Sequence, residues 1–144
     1  MSARDIVQRA NDAFNAHDVA AIRALTAEDC TFWSVGGVTA QGREPCVAAN
    51  TMWFDACSDA HVTINQVLGD GDTVAVEGVF EGTHDGTLKT PMGDVAATGR
   101  RIHGEYVGIT TVRNGLAASQ RLYFDRMQLA EQLGLIPAAT GTAS

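Results

Sequence analysis

The stretch Thr98 to Leu135, TGRRIHGEYVGITTVRNGLAASQRLYFDRMQLAEQLGL, decides how the rest of the chain folds. Two apolar-rich runs, Ile102 to Val112 and Leu116 to Phe124, flank Asn114-Gly115. An Asn-Gly pair between β-like runs marks a tight hairpin, because both residues tolerate positive φ. The second run leads directly into Asp125, after which Met127, Ala130 and Leu133 recur at helical spacing until Gly134 stops the pattern. A long antiparallel hairpin followed by a helix is therefore expected, with the remaining elements packing on it.

Working back towards the N-terminus, His61 to Leu68 and Thr73 to Glu81 read as a first hairpin, reversed at Gly69-Asp70-Gly71-Asp72. Before it, Ile6, Ala10, Ala13, Phe14 and His17 share one face of an amphipathic helix, and Asp18 is placed to cap a short second helix over Val19 to Leu25. Thr26 to Cys30 reads as a turn into a strand, Thr31 to Val35, ended by Gly36-Gly37. Gly42 and Pro45 bracket the start of a third helix, with Cys46, Ala49, Trp53 and Ala56 on one face. This order predicts an α+β domain in which a curved antiparallel sheet is packed against three to four helices and encloses a cone-shaped pocket for a small molecule. Residues 1–137 read as one domain, and 138–144 as a frayed tail.

Composition narrows the partners. The chain has 144 residues, of which 45% are hydrophobic, and a net charge of −7. That charge, with no Lys/Arg cluster, argues against nucleic acid or an anionic membrane. No apolar run reaches the roughly 18 residues of a membrane span, and the N-terminus lacks a leader pattern, so a cytoplasmic protein is expected. Cys30, Cys46 and Cys57 form no CxxC and read as buried thiols in a reducing compartment. No metal-ligand spacing, phosphate-binding glycine loop or serine elbow is present, so neither metal nor cofactor is expected.

A two-residue turn pairs Arg113 with Leu116, and uninterrupted alternation from there fixes the faces of the second hairpin. One face collects His103, Glu105, Val107 and Ile109 with Gln120, Leu122 and Phe124, and is the expected pocket wall. The other collects Tyr106, Gly108, Arg121 and Tyr123, a candidate dimer surface. His103 and Glu105 stand roughly 6 to 7 Å apart on one strand. They read either as a proton-transfer pair at the pocket mouth or as a solvated strand end. Asp125 has two readings as well: an N-cap, with Gln128 three positions on, or an acid/base carboxylate at the end of a core strand. Trp33, Trp53, Phe14 and Phe124 are candidate pocket aromatics. The Gly82 to Thr98 segment is either a lid or a strand connection, with His84 as a lid or turn residue.

The segments AHVTINQVLGDGDTVAVEGVFEGTHDGTL, ATGRRI, VRNG, YFD and QLGL together resemble the SnoaL-like polyketide (ester) cyclases of the nuclear-transport-factor-2-like superfamily. The resemblance implies a cone of curved sheet and helices. It also implies cofactor-free acid/base chemistry, an aldol closure or other proton transfer on a small hydrophobic carbonyl compound. Asp125, the aspartate preceding QLG, then becomes the catalytic carboxylate. Many members carry a second acidic or Asn residue just upstream, where this chain has Leu122 and Tyr123. Limonene-epoxide hydrolase shares the superfamily, but its catalytic positions correspond to Leu122, Gly78 and Phe80, which lack the required charges. The competing expectation is a non-catalytic ligand-binding or homodimerisation module on the same scaffold.

Overall fold

The computed structural model describes residues 1–137; the expected frayed tail, 138–144, lies outside the described residues. In chain order the elements are α1 (Ala3–Asn15), α2 (Val19–Ala24), β1 (Thr26–Ser34), β2 (Val38–Gln41), α3 (Arg43–Ala56), β3 (His61–Leu68), β4 (Thr73–Thr83), β5 (Leu88–Thr90), β6 (Gly93–Val95), β7 (Arg101–Arg113), β8 (Leu116–Phe124) and α4 (Arg126–Gln132). Six strands form one sheet in the order β2-β1-β8-β7-β4-β3, and β5 and β6 form a separate ribbon. All pairings in the large sheet are antiparallel except β1 with β8.

Local chemistry sets the element ends. Ser2 and Asp5 form a reciprocal capping box at the start of α1, and Asp18 accepts the Ala21 N–H at the start of α2. At the far end of α1, Asn15 acts as a peptide substitute. Its amide donates to Val62 O (2.9 Å) and accepts from Val62 N (2.8 Å), docking the helix on the sheet's edge strand β3. His17 fastens the same corner through a bond to Ala60 O (2.8 Å) and a stack on Phe54, with 4.2 Å between centroids. Behind α1, Ile6, Val7, Val74, Val76 and Val112 form a buried cluster between helix and sheet.

Two segments differ from the sequence expectation. Thr26 to Cys30 is strand rather than turn, and β1 folds back through Gly36-Gly37 onto β2. Gly82 to Thr98 contains the β5–β6 ribbon, and its first part is clamped to the body. Thr83 N donates to Asp59 (2.7 Å), Asp85 takes the Ser58 N–H (2.9 Å), and Gly86 lies so close to Asp55 O that a Cβ would fall 1.9 Å from it. The GTHDG sequence is a structural clasp.

The most consequential difference lies in the second hairpin. Asn114 (φ 54°) and Gly115 (φ 75°) form the expected tight turn, and Arg113 does pair with Leu116. Two residues later Ala118 is left without a partner: Val112 pairs with Ala117, but Thr111 pairs with Ser119. This bulge shifts the remaining register by one, so Gln120, Leu122 and Phe124 lie opposite Thr110, Gly108 and Tyr106. The helix-covered face of β7 is therefore Ile102, Gly104, Tyr106, Gly108 and Thr110. His103, Glu105, Val107 and Ile109 fall on the outer face, contrary to uninterrupted alternation.

Candidate active site

Between α1, α3 and the inner face of the sheet lies a chamber of about 230 Å³, with α4 at its rim. It is hollow because β7 carries glycine at two inward positions. A Cβ at Gly108 would meet nothing within 4 Å, and one at Gly104 would meet only Gln128 Oε1, at 3.5 Å. Gly78 serves another purpose. It lies opposite Tyr106 on the neighbouring strand, and its missing side chain leaves room for the Tyr106 ring, whose hydroxyl would stand 2.8 Å from a Cβ there.

The walls are mostly apolar, with Phe14, Trp53, Phe80, Leu122 and Phe124 among the lining residues. Polar residues form the minority of the lining, Asn11, Asn50, Tyr106, Gln120, Gln128 and Gln132 among them. Asn50 on α3 reaches across to β8, donating to Gln120 Oε1 (2.8 Å) as well as to Cys46 O (3.0 Å). Burial pushes the Tyr106 phenol up to about 12, so at neutral pH it is an uncharged O–H donor. Asn11, on α1, also lines the chamber, and its Oδ1 is buried without a partner among the described residues.

Asp125 lies at the rim, directly after β8. Its Oδ1 accepts the Gln128 N–H at 3.0 Å, capping α4, while the residue remains exposed and belongs to the chamber lining. Gln132 holds α4 against β7 by bracketing the His103 backbone, accepting from its N–H (2.9 Å) and donating to its carbonyl (2.7 Å). Cap and rim are thus one position, and the two readings of Asp125 coexist in space.

The other sequence candidates divide. Trp53, Phe14, Phe124, Leu122 and Gln120 line the chamber. His103 is not among the lining residues, and Glu105, which is, carries its side chain on the outer face: the two side chains are 54% and 67% exposed, and His103 stands 3.6 Å from Glu81 and 4.0 Å from Glu105. The Ala118 bulge is the reason. Trp33 is also outside, packed at a tilt against Tyr123 with 5.2 Å between ring centroids, and covered by the Arg121 guanidinium at 4.4 Å. His84 is 0% exposed and is not among the residues lining the chamber; its Nδ1 accepts the Thr98 N–H (3.2 Å) and lies 2.9 Å from the Thr98 hydroxyl. Tyr106 and Gly108, expected on a dimer surface, are inside. Sequence reasoning missed Tyr106, Asn50 and Asn11 as chamber residues. The alternation Gly104, Tyr106, Gly108 was a usable signal, because small residues at every other strand position leave one face hollow.

All three cysteines are free and buried, and burial pushes Cys30 up to about 12 and Cys57 to about 11. They remain thiols rather than nucleophilic thiolates at neutral pH. No helix among the described residues is long and apolar enough to cross a membrane.

The family model for SnoaL-like polyketide cyclase matches residues 4–133. Among solved structures, a presumptive SnoaL-like polyketide cyclase from Jannaschia sp. CCS1 superposes with a TM-score of 0.81 at 20% identity, over 94% of this chain and 93% of that one. A hypothetical protein of ketosteroid isomerase-like fold from Catenulispora acidiphila, in complex with trimethylamine, gives 0.74 at 24% identity, over 94% and 96%. An epoxide hydrolase from M. tuberculosis resembling limonene-epoxide hydrolase gives 0.71 at 18% identity, over 99% and 96%. No functionally curated protein matches the chain. The curved sheet, the helices on one face and the chamber between them are those of the nuclear-transport-factor-2-like fold, and the chain belongs to the SnoaL-like polyketide cyclase family.

Proposed function

We propose that the protein is an acid/base enzyme of the cyclase or isomerase type, acting on a small hydrophobic carbonyl compound held in the chamber. The observation that carries this reading is an apolar cavity in which a neutral Tyr106 is a hydrogen-bond donor and a carboxylate, Asp125, stands at the rim. Asp125 would take a proton from the carbon next to a carbonyl. The C–H electron pair becomes the new C=C bond, and the carbonyl electrons move onto oxygen, where the Tyr106 O–H stabilises the enolate. Attack of the enolate carbon on a second carbonyl of the same molecule forms the ring C–C bond. The resulting alkoxide recovers the proton from Asp125, which restores the carboxylate. Return of the proton at a different carbon would instead give isomerisation.

The position of Asp125 also permits a clean test, because asparagine caps a helix about as well as aspartate but cannot accept a proton as a base. Exchange of α-protons of 2-tetralone for deuterium, followed by NMR, reports enolisation. Asp125→Asn is expected to lose exchange activity while keeping ligand binding and thermal stability. Asp125→Ala is expected to lose activity and about 1 kcal/mol of stability. Undiminished exchange by Asp125→Asn would leave Asp125 as a cap only.

A second reading, a ligand-binding homodimer without catalysis, is favoured by the exposure of Asp125 and by the outer sheet face. There Trp33, Arg121 and Tyr123 adjoin half-buried Val79, Val107 and Ile109. We propose that this face pairs with a second copy, whichever chemistry the chamber supports. Epoxide hydrolysis is disfavoured, because Leu122, Gly78 and Phe80 occupy the positions that would need to be charged.

A further inference from the structure

A chamber of about 230 Å³ falls below the roughly 300–1,000 Å³ of typical small-molecule sites. Beyond one of its walls lies a larger recess, about 820 Å³, lined by Val38 of β2, Met52 of α3, Leu88 and Val95 of the β5–β6 ribbon, Ala130 of α4 and its C-cap Leu133. Phe32, Trp53, Leu122, Phe124 and Leu129 border both spaces. The partition is therefore a screen of side chains contributed by β1, β8, α3 and α4. Trp53 and Phe124 meet edge to face across it, with 6.2 Å between ring centroids.

We propose that the recess is a second subsite, an annex that takes the apolar tail of a substrate whose carbonyl head occupies the chamber. This rests on the reading of the chamber as the reaction site. Continuity through the shared screen is what assigns the annex to the same ligand. Its lining is chiefly apolar, with Lys89, Asp94 and Arg126 as its charged members, and so suits an alkyl or polyene chain better than a second polar head. The ribbon then has a role that its clasp leaves unexplained: Leu88 at its base is buried and forms one side of the annex, while Met92 at its tip is 91% exposed.

Calorimetric titration with straight-chain 2-alkanones, from 2-butanone to 2-dodecanone, tests this directly. In the wild-type protein the affinity is expected to keep rising after the chain outgrows the chamber, by about fourfold per methylene, the factor that burial of one CH₂ gives. Ala130→Trp and Val95→Trp, each filling the annex from a different element, are expected to level the rise at chamber length without changing the affinity for short ketones. The melting temperatures of both variants serve as folding controls, and either variant suffices. Absence of binding throughout the series would defeat the chamber reading and the annex with it. Binding of short ketones with affinity flat in chain length, as would follow from a second copy of the chain seated in the recess, overturns the annex alone. So does a length dependence that both folded variants retain.

Discussion

Three glycines on the inner face show how one residue type serves opposite ends. Gly108 faces open space and Gly104 faces only the tip of Gln128, whereas Gly78 has Thr63 O and the Tyr106 hydroxyl within 2.8 Å of where a Cβ would stand. Gly108→Leu is therefore expected to fold with stability equal to or above wild type, since a strand-interior glycine costs about 0.5–1 kcal/mol. The same substitution fills the chamber and should abolish ketone binding. Gly78→Val must displace either backbone or the Tyr106 ring, and is expected to lose about 1–3 kcal/mol. Urea melts of the two variants with one ketone titration check both statements; equal destabilisation would mean that the chamber is not open at Gly108. The sequence displays these glycines but not their difference, which depends on the residues opposite them on neighbouring strands.

At the scale of elements, the hairpin turn was legible and the bulge was not. Asn114-Gly115 has a chemical signature because few residue pairs accept two positive φ values. Ala117 and Ala118 carry no such mark: both are small, apolar and buried, so either fits an inward or a bulged position. That silence exchanged the faces of β7, predicted inward side chains for His103 and Glu105, which lie on the outer face, and hid Tyr106. Asp125 was legible as a cap because its neighbours are close in sequence. Deleting Ala118 is expected to restore simple alternation and turn Gln120, Leu122 and Phe124 outward, or to force the slip into the turn. Either outcome exposes core residues, so loss of cooperative unfolding in the deletion variant is expected. A stable, cooperatively folded variant that still binds ketones would contradict the role given to the bulge.

For the molecule as a whole, helices cover one sheet face and leave the other to solvent in the monomer. The covered face carries the chamber, and the open face carries the Trp33–Arg121–Tyr123 cluster and the Glu81–His103–Glu105 group. The order of helices and long strands predicted this layering, because an amphipathic helix and a half-apolar sheet must bury their faces together. Chamber size was not predictable, since it depends on residues far apart in the chain. If the open face pairs copies, sedimentation velocity should show a species of twice the chain mass, and Trp33→Glu should return it to a monomer with enzymatic exchange retained. A wild-type monomer at tens of micromolar would rule out stable pairing.

In the proposed mechanism a neutral Tyr106 stabilises an enolate formed inside the chamber. That role is tested most directly by the rate of α-deuteration of 2-tetralone with wild-type protein and with Tyr106→Phe, measured at saturating ketone. Phenylalanine keeps the ring over Gly78 and removes only the donor. The wild type is expected to exchange well above the buffer rate, and Tyr106→Phe to fall by about 10²- to 10³-fold with ketone affinity changed far less. Equal rates in the two proteins, or a wild-type rate no faster than buffer, would contradict this mechanism.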